Sequence, residues 1–224
     1  MEIAGLYIFS YLVGSIPSAY LMGKLVKGVD IRGYGSGNVG AANLFRHVGR
    51  WWVVPLSVSE VFLKGAAPVW IGRYLLDWET SSALLVVVPL LAIAGNNWSV
   101  FLKFQGGRGI AVTVGTLLAL SPLLMATAIA IALLGWAVTR SSGVWVLISL
   151  ALLPLWAFLS GAPGMLSWYC AGLLLLISLK RLLSNWTPLP EGFPKRKVIF
   201  NRLFRDRDVD DRADWVHRQP QGAK

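Results

Sequence analysis

Apolar runs of membrane-crossing length recur along the whole chain, and they constrain the fold more than any other feature of the sequence. A spanning helix needs about 20 mostly apolar residues, and such runs fall at 3–26, 52–76, 82–101, 143–160 and 164–183. The stretch 109–139 is too long for one crossing and is interrupted by Ser121-Pro122. Proline cannot donate to the helix ladder, and it drives the residue before it out of the helical region. The stretch therefore divides into a short helix, 109–120, and a longer one, 122–139. Inside lipid each backbone polar group must find a partner within the protein, which leaves helices or closed barrels. The expected fold is all-α: a polytopic membrane helical bundle of seven segments, one of them a half-helix. Charged residues make up 14% of the chain, against roughly 25% in a soluble domain. With a mean hydropathy of +0.60, a water-soluble globule and a disordered chain are both excluded. The single cysteine, Cys170, lies in an apolar run and excludes a disulfide scaffold. Met1-Glu2 offers no basic leader, and the first run exceeds the roughly 7–15 apolar residues of a signal peptide core, so it is expected to stay attached.

Lys and Arg accumulate in cytoplasmic loops and so set the orientation. With the N-terminus outside, Lys24, Lys27, Arg32, Arg46, Arg50, Lys103, Arg108, Arg140 and every basic residue from Lys180 onward lie inside, 19 of the 21 in all. The remaining two, Lys64 and Arg73, belong to segment two, and the turns 77–81 and 161–163 carry no Lys or Arg. The expectation is N-out and C-in. Residues 1–186 read as the membrane domain, and 187–224 as a loosely ordered, charged cytoplasmic tail. Within that tail Val198, Ile199, Phe200, Leu203 and Phe204 have the makings of a short interfacial helix. The chain's net charge of +10, with its basic residues gathered on this face, suits anionic lipid headgroups, and no nucleic-acid partner is expected.

Two glycine-rich loops fall on the basic face. Residues 28–50 read GVDIRGYGSGNVGAANLFRHVGR, and Gly35-Ser36-Gly37-Asn38-Val39-Gly40 satisfies the G-x-G-x-x-G spacing. That fingerprint means a dinucleotide site only after a strand, and here a membrane helix precedes it. The physics of the glycines still holds, because their amides can approach an anion closely and form a concave nest. Ser36 and Asn38 add donors, and Arg46 offers a planar fork for phosphate. The second loop, within GNNWSVFLKFQGGRG at 95–109, runs through Gly106-Gly107-Arg108-Gly109 straight into the short helix. A helix N-terminus carries unpaired amides and partial positive charge, so the two loops read as a pair of anion cradles on one face. Glu60 and Lys64 are spaced i, i+4 on one helical face, which fits an ion pair or a lysine turned toward the phosphate pocket. His47 and His217 stand without Cys or carboxylate at ligand spacing, so no metal site is expected. Trp51, Trp52, Trp78 and Trp98 near segment ends read as interfacial anchors.

The stretch YLVGSIPSAYLMGKLVKGVDIRGYGSGNVGAANLFRHVG at 11–49 closely resembles the first signature of the PlsY family of bacterial glycerol-3-phosphate acyltransferases. GNNWSVFLKFQGGRGIAVTVG at 95–115 resembles the second. The resemblance covers about residues 5–183. It implies transfer of a fatty acyl group from acyl phosphate to glycerol 3-phosphate, giving lysophosphatidic acid and inorganic phosphate at the cytoplasmic face of the bacterial inner membrane. It implies no cofactor, no metal and no obligate protein partner beyond the two substrates and membrane lipid. By the resemblance Ser36, Arg46 and Arg108 are the catalytic candidates. Gly35, Gly37, Asn38, Gly40, Asn43, Lys64, Asn97, Gly106, Gly107 and Gly109 are the substrate-binding candidates. The chain departs from the family pattern at Ala42, Val61 and Asn96. Of the third signature it keeps only Arg181-Leu182-Leu183, so the histidine and asparagine of that signature fall on Leu175 and Ser178.

Acyl phosphate already carries a good leaving group, so the work expected of the protein is positioning and charge stabilisation. The residues alone also fit a weak or inactive paralogue that binds acyl phosphate or a lipid phosphate. A small transporter is the third reading, against which stands the lack of any internal repeat.

Overall fold

The computed structural model describes residues 2–186, 189, 194–211 and 215. The first apolar run is split into α1 (Glu2–Ser15) and α2 (Ser18–Lys27). The single helix expected over 3–26 is thus corrected: Pro17 withholds an amide, and the chain turns at Ile16 before α2 begins. A short α3 (Ala41–His47) follows in the first loop. Segment two is the continuous α4 (Arg50–Leu75), which widens into π-helical turns at Ser59–Ala66 and Ile71–Leu75. Then come α5 (Ala83–Asn97), α6 (Ile110–Leu120), α7 (Pro122–Thr139), α8 (Ser142–Leu159) and α9 (Gly164–Leu183). No strand occurs among the described residues.

The helix starts follow local chemistry. Ser82 accepts from the Leu84 amide to cap α5, and Ser121 accepts from Leu124 to cap α7, with Pro122 in the first turn where its missing amide costs nothing. The third apolar run is corrected at its end: the helix stops at Asn97, not 101. A 3₁₀ turn (Val100–Leu102) and left-handed Lys103 and Phe104 bring the chain round into the second glycine-rich loop.

Lipid is as apolar as leucine, so helices in it associate by close packing and by hydrogen bonds between them. A Cβ on Gly14 would sit 2.2 Å from the Ala92 carbonyl oxygen, and one on Gly95 the same distance from that of Tyr11, so α1 and α5 touch backbone to backbone. Gly65 of α4 and Gly115 of α6 meet the same way: a Cβ on Gly115 would lie 1.9 Å from the Val61 oxygen. Buried Ser10 donates to Val88 O, and Thr116 shares a hydrogen bond with Tyr169 at 2.7 Å. Arg73 donates to Ala119 O at 3.2 Å and so completes a carbonyl at the end of the half-helix.

The described part of the tail is more structured than its composition implied. α10 (Lys195–Phe200) continues into a π turn (Asn201–Arg205). Ile199, Phe200 and Phe204 are exposed there while Val198 is buried, as an interfacial helix requires. Buried Arg181 donates to Gly143 O and Leu203 O, each at 2.9 Å, and Arg202 pairs with buried Asp208 at 2.7 Å. His217 lies outside the described residues.

Candidate functional site

The first loop, the end of α5, the start of α6, the α7–α8 turn and the described tail come together at one end of the bundle. A cavity of about 720 Å³ opens there. Ser36, Asn38, Gly40, Asn43 and Arg46 from the first loop and Gly107, Arg108 and Gly109 from the second all line it. The two glycine-rich loops, some 60 residues apart in the chain, thus form walls of one chamber.

Each loop has a reason for its shape. Gly35 and Gly37 adopt positive φ, 50° and 68°, where a side chain would be strained. The Ser36 hydroxyl accepts from the Asn38 amide at 3.3 Å. Buried Asn43 donates to the carbonyls of Ile31, Tyr34 and Asn38, so it holds the loop from within while its edge reaches the cavity. Arg32 fastens one loop to the other: it pairs with Asp30 at 2.6 Å and donates to Gln105 Oε1 at 3.2 Å. In the second loop Gly109 stands at φ 72° as the cap of α6, whose first residues, Ile110 and Ala111, also face the cavity. The positive end of the α6 dipole is therefore directed into the chamber.

Arg108 is 10% exposed and fully engaged. Its Nη1 donates to the Lys180 carbonyl at 3.0 Å, and its Nε lies 2.7 Å from the Asp206 carboxylate. With its amide oxygen turned toward Arg108, Asn38 accepts from Nε and Nη2 at 3.1 and 3.2 Å. Arg46 is more exposed, on α3, with Nη1 on the Ala42 carbonyl. Arg140, Arg205 and Arg207 add further positive charge to the wall, against Glu60 and Asp206 as the acids among the described residues.

Five sequence candidates do not line this cavity. Lys64 points to Glu60 at 3.5 Å and Asn96 at 3.3 Å, deep in the bundle, because burial forces its charge onto the nearest acceptors. The Asn97 side chain is wholly buried beneath Gly109, whose Cβ position is 2.7 Å from Asn97 Oδ1. Gly106 is pressed against the Asn96 and Asn97 carbonyls, and Gly35 and Gly37 shape their loop from behind.

Other residues here were invisible to motif reasoning. Leu175 is 67% exposed on the outer surface of α9, whereas Lys180 of the same helix is fully buried. The Lys180 ammonium donates to the Asn97 carbonyl and to Asn185 Oδ1. Asn185, just past the helix end, accepts from the Gly106 amide at 3.0 Å and donates to Gly106 O and Gly37 O at 3.1 and 3.4 Å. Asp206 and Trp215 bring the tail onto the cavity wall. A lysine inside an apolar run was the one available signal, for Lys180; a Ser-Asn pair after a helix reads as no more than a cap.

Residues 4–189 match the family model described as glycerol-3-phosphate acyltransferase. Glycerol-3-phosphate acyltransferase 4 of Dehalococcoides mccartyi (strain CBDB1) is 37% identical, over 96% of this chain and 93% of the relative. The glycerol-3-phosphate acyltransferase of Desulforudis audaxviator (strain MP104C) is 41% identical over 69% of this chain and 75% of its own. Among solved structures, PlsY, an integral membrane glycerol 3-phosphate acyltransferase, superposes in its glycerol 3-phosphate form with a TM-score of 0.75 and 30% identity, over 81% of this chain and 88% of that one.

Proposed function

This chain belongs to the glycerol-3-phosphate acyltransferase family, and from that premise we propose that its acyl donor is an acyl phosphate and that its two glycine-rich loops each receive one phosphate. It is a multi-pass membrane enzyme of phospholipid synthesis that acylates glycerol 3-phosphate. The observation carrying the proposal is the shared chamber: two glycine-rich loops and, among the described residues, five arginines around about 720 Å³, room for two anionic groups side by side. The excess of basic residues on this end supports a cytoplasmic active face in a bacterial inner membrane, with the N-terminus outside and seven crossings.

The chemistry needs no protein nucleophile. The glycerol hydroxyl attacks the acyl carbonyl, the bond from that carbon to the phosphate oxygen breaks, and the departing phosphate takes the hydroxyl proton. Ser36, Asn38, the amide of Gly40 and the first amides of α6 at Ile110 and Ala111 would hold phosphate oxygens. Arg46 and Arg108 would neutralise the charge that grows on the leaving group, a role worth most where the donors are already fixed before reaction. Phosphate release from palmitoyl phosphate by the purified protein with glycerol 3-phosphate tests this. Ser36→Ala or Arg46→Ala is expected to lower turnover by about 10²–10³-fold. Binding of both phosphates without turnover by the wild type would overturn the catalytic assignment in favour of a paralogue that only binds.

A further inference from the structure

Two loops that must each deliver one reactant need a fixed spacing, and a side chain belonging to neither loop touches both. Asn185 sits in the left-handed region, φ 57° and ψ 35°, beyond the end of α9. Its Oδ1 accepts from the Gly106 amide, and its Nδ2 donates to the carbonyls of Gly106 and Gly37. The amide is held in turn by the buried Lys180 ammonium, and the Lys180 carbonyl takes a hydrogen bond from Arg108. α9 therefore meets the first loop, the second loop and the catalytic-candidate arginine through two residues, neither of which lines the cavity.

We propose that Asn185, locked by Lys180, is a positioning residue that sets the distance between the two phosphate cradles. This rests on the reading that each cradle holds one reactant. Without the clamp each substrate still binds in its own loop, but hydroxyl and carbonyl no longer meet in register. A displacement of about 1 Å is enough to cost on the order of 10²-fold. Acyl phosphate held without a well-placed hydroxyl is open to water instead: the same carbon–oxygen bond breaks, and fatty acid and inorganic phosphate result.

Asn185→Gly is the clean perturbation, because glycine adopts this backbone conformation without strain while the amide is removed. In the purified full chain it is expected to keep its melting temperature and the KM for glycerol 3-phosphate. Its kcat should fall about 10- to 100-fold, and the phosphate released per lysophosphatidic acid formed should rise above one. Asn185→Gln, which keeps the amide, should restore part of the rate. A loss of folded protein alone would leave the product ratio at one. Spin labels at Gly33→Cys and Phe101→Cys, exposed positions flanking the two loops, should give a narrow distance distribution that Asn185→Gly broadens. An unbroadened distribution, or a wild-type rate and product ratio in Asn185→Gly, overturns the proposal. If the wild type does not turn over palmitoyl phosphate, the donor assignment falls and the distance distribution alone decides the clamp.

Discussion

Replacing Gly107 by alanine puts the meeting of the two loops to a direct steric test. A Cβ there would lie 2.7 Å from the Val39 carbonyl oxygen of the first loop and 3.0 Å from Asn96 Nδ2, where ordinary contact begins at 3.4 Å. The second loop cannot retreat, since the Gly107 amide is bonded to Asn96 O at 3.0 Å. The first loop must therefore yield by the difference of 0.7 Å between contact and the Val39 distance, carrying Gly40 and Ala41 of the cavity wall with it. Misplacement costs on the order of 10²-fold per Å, which gives a fall in kcat of roughly 10- to 30-fold, about 1.4–2 kcal/mol of barrier. The assay is initial-rate phosphate release from palmitoyl phosphate and glycerol 3-phosphate, with a melting curve for each variant. Gly164→Ala is the control, because a Cβ there meets nothing within 4 Å. Unchanged kcat in a folded Gly107→Ala, or an equal loss in Gly164→Ala, would refute the reasoning.

Asp206 occupies Arg108 where the acyl-phosphate phosphate is proposed to bind, so it competes with that substrate; Asp206→Asn is expected to lower the KM for palmitoyl phosphate several-fold, and a raised KM would contradict this. Lys64→Met strands the Glu60 carboxylate in the bundle, and thermal unfolding in detergent should show a loss of about 3–5 kcal/mol, most of it regained in Glu60→Gln/Lys64→Met. The side-chain hydrogen bond from Arg32 holds the Asp30 carboxyl below the usual carboxylate range. A depressed carboxylate stabilises above its unfolded value and loses that contribution as pH falls through its folded value. Asp30→Asn should therefore melt slightly below the wild type near neutrality, by about 0.5 kcal/mol for so exposed a pair, and the difference should close as pH drops below about 4.

Hydropathy and one proline carried most of the fold. Runs of apolar residues gave the crossings because lipid leaves the backbone no other partner, and Pro122 marked the joint between α6 and α7. Pro17 was as plain in the sequence but sat inside an unbroken apolar run, so its local effect was hidden by the global pattern. That Ser36, Asn38, Arg46 and Arg108 gather at one cavity was legible because glycine spacing announces a backbone that must come close to something. Lys64 and Asn97 lie off that cavity, since a polar side chain next to a motif can as well be consumed in packing as turned to a ligand. Asn185 and Asp206 could not be read at all, and Lys180 only as a lysine inside an apolar run: their roles arise from which helix ends the bundle brings together, a tertiary fact with no periodicity.

The wall formed by Arg205, Asp206 and Trp215 has a consequence for how the enzyme comes into being. These residues leave the ribosome after every crossing has been threaded into the bilayer. A nascent chain with all its helices in place thus holds an open-sided chamber, and the enclosure is finished only when the segment after α9 folds back onto the ends of α8 and α9. Maturation is therefore a separate event from insertion, and a chain halted soon after the last crossing would be a correctly inserted protein with an unfinished reaction vessel.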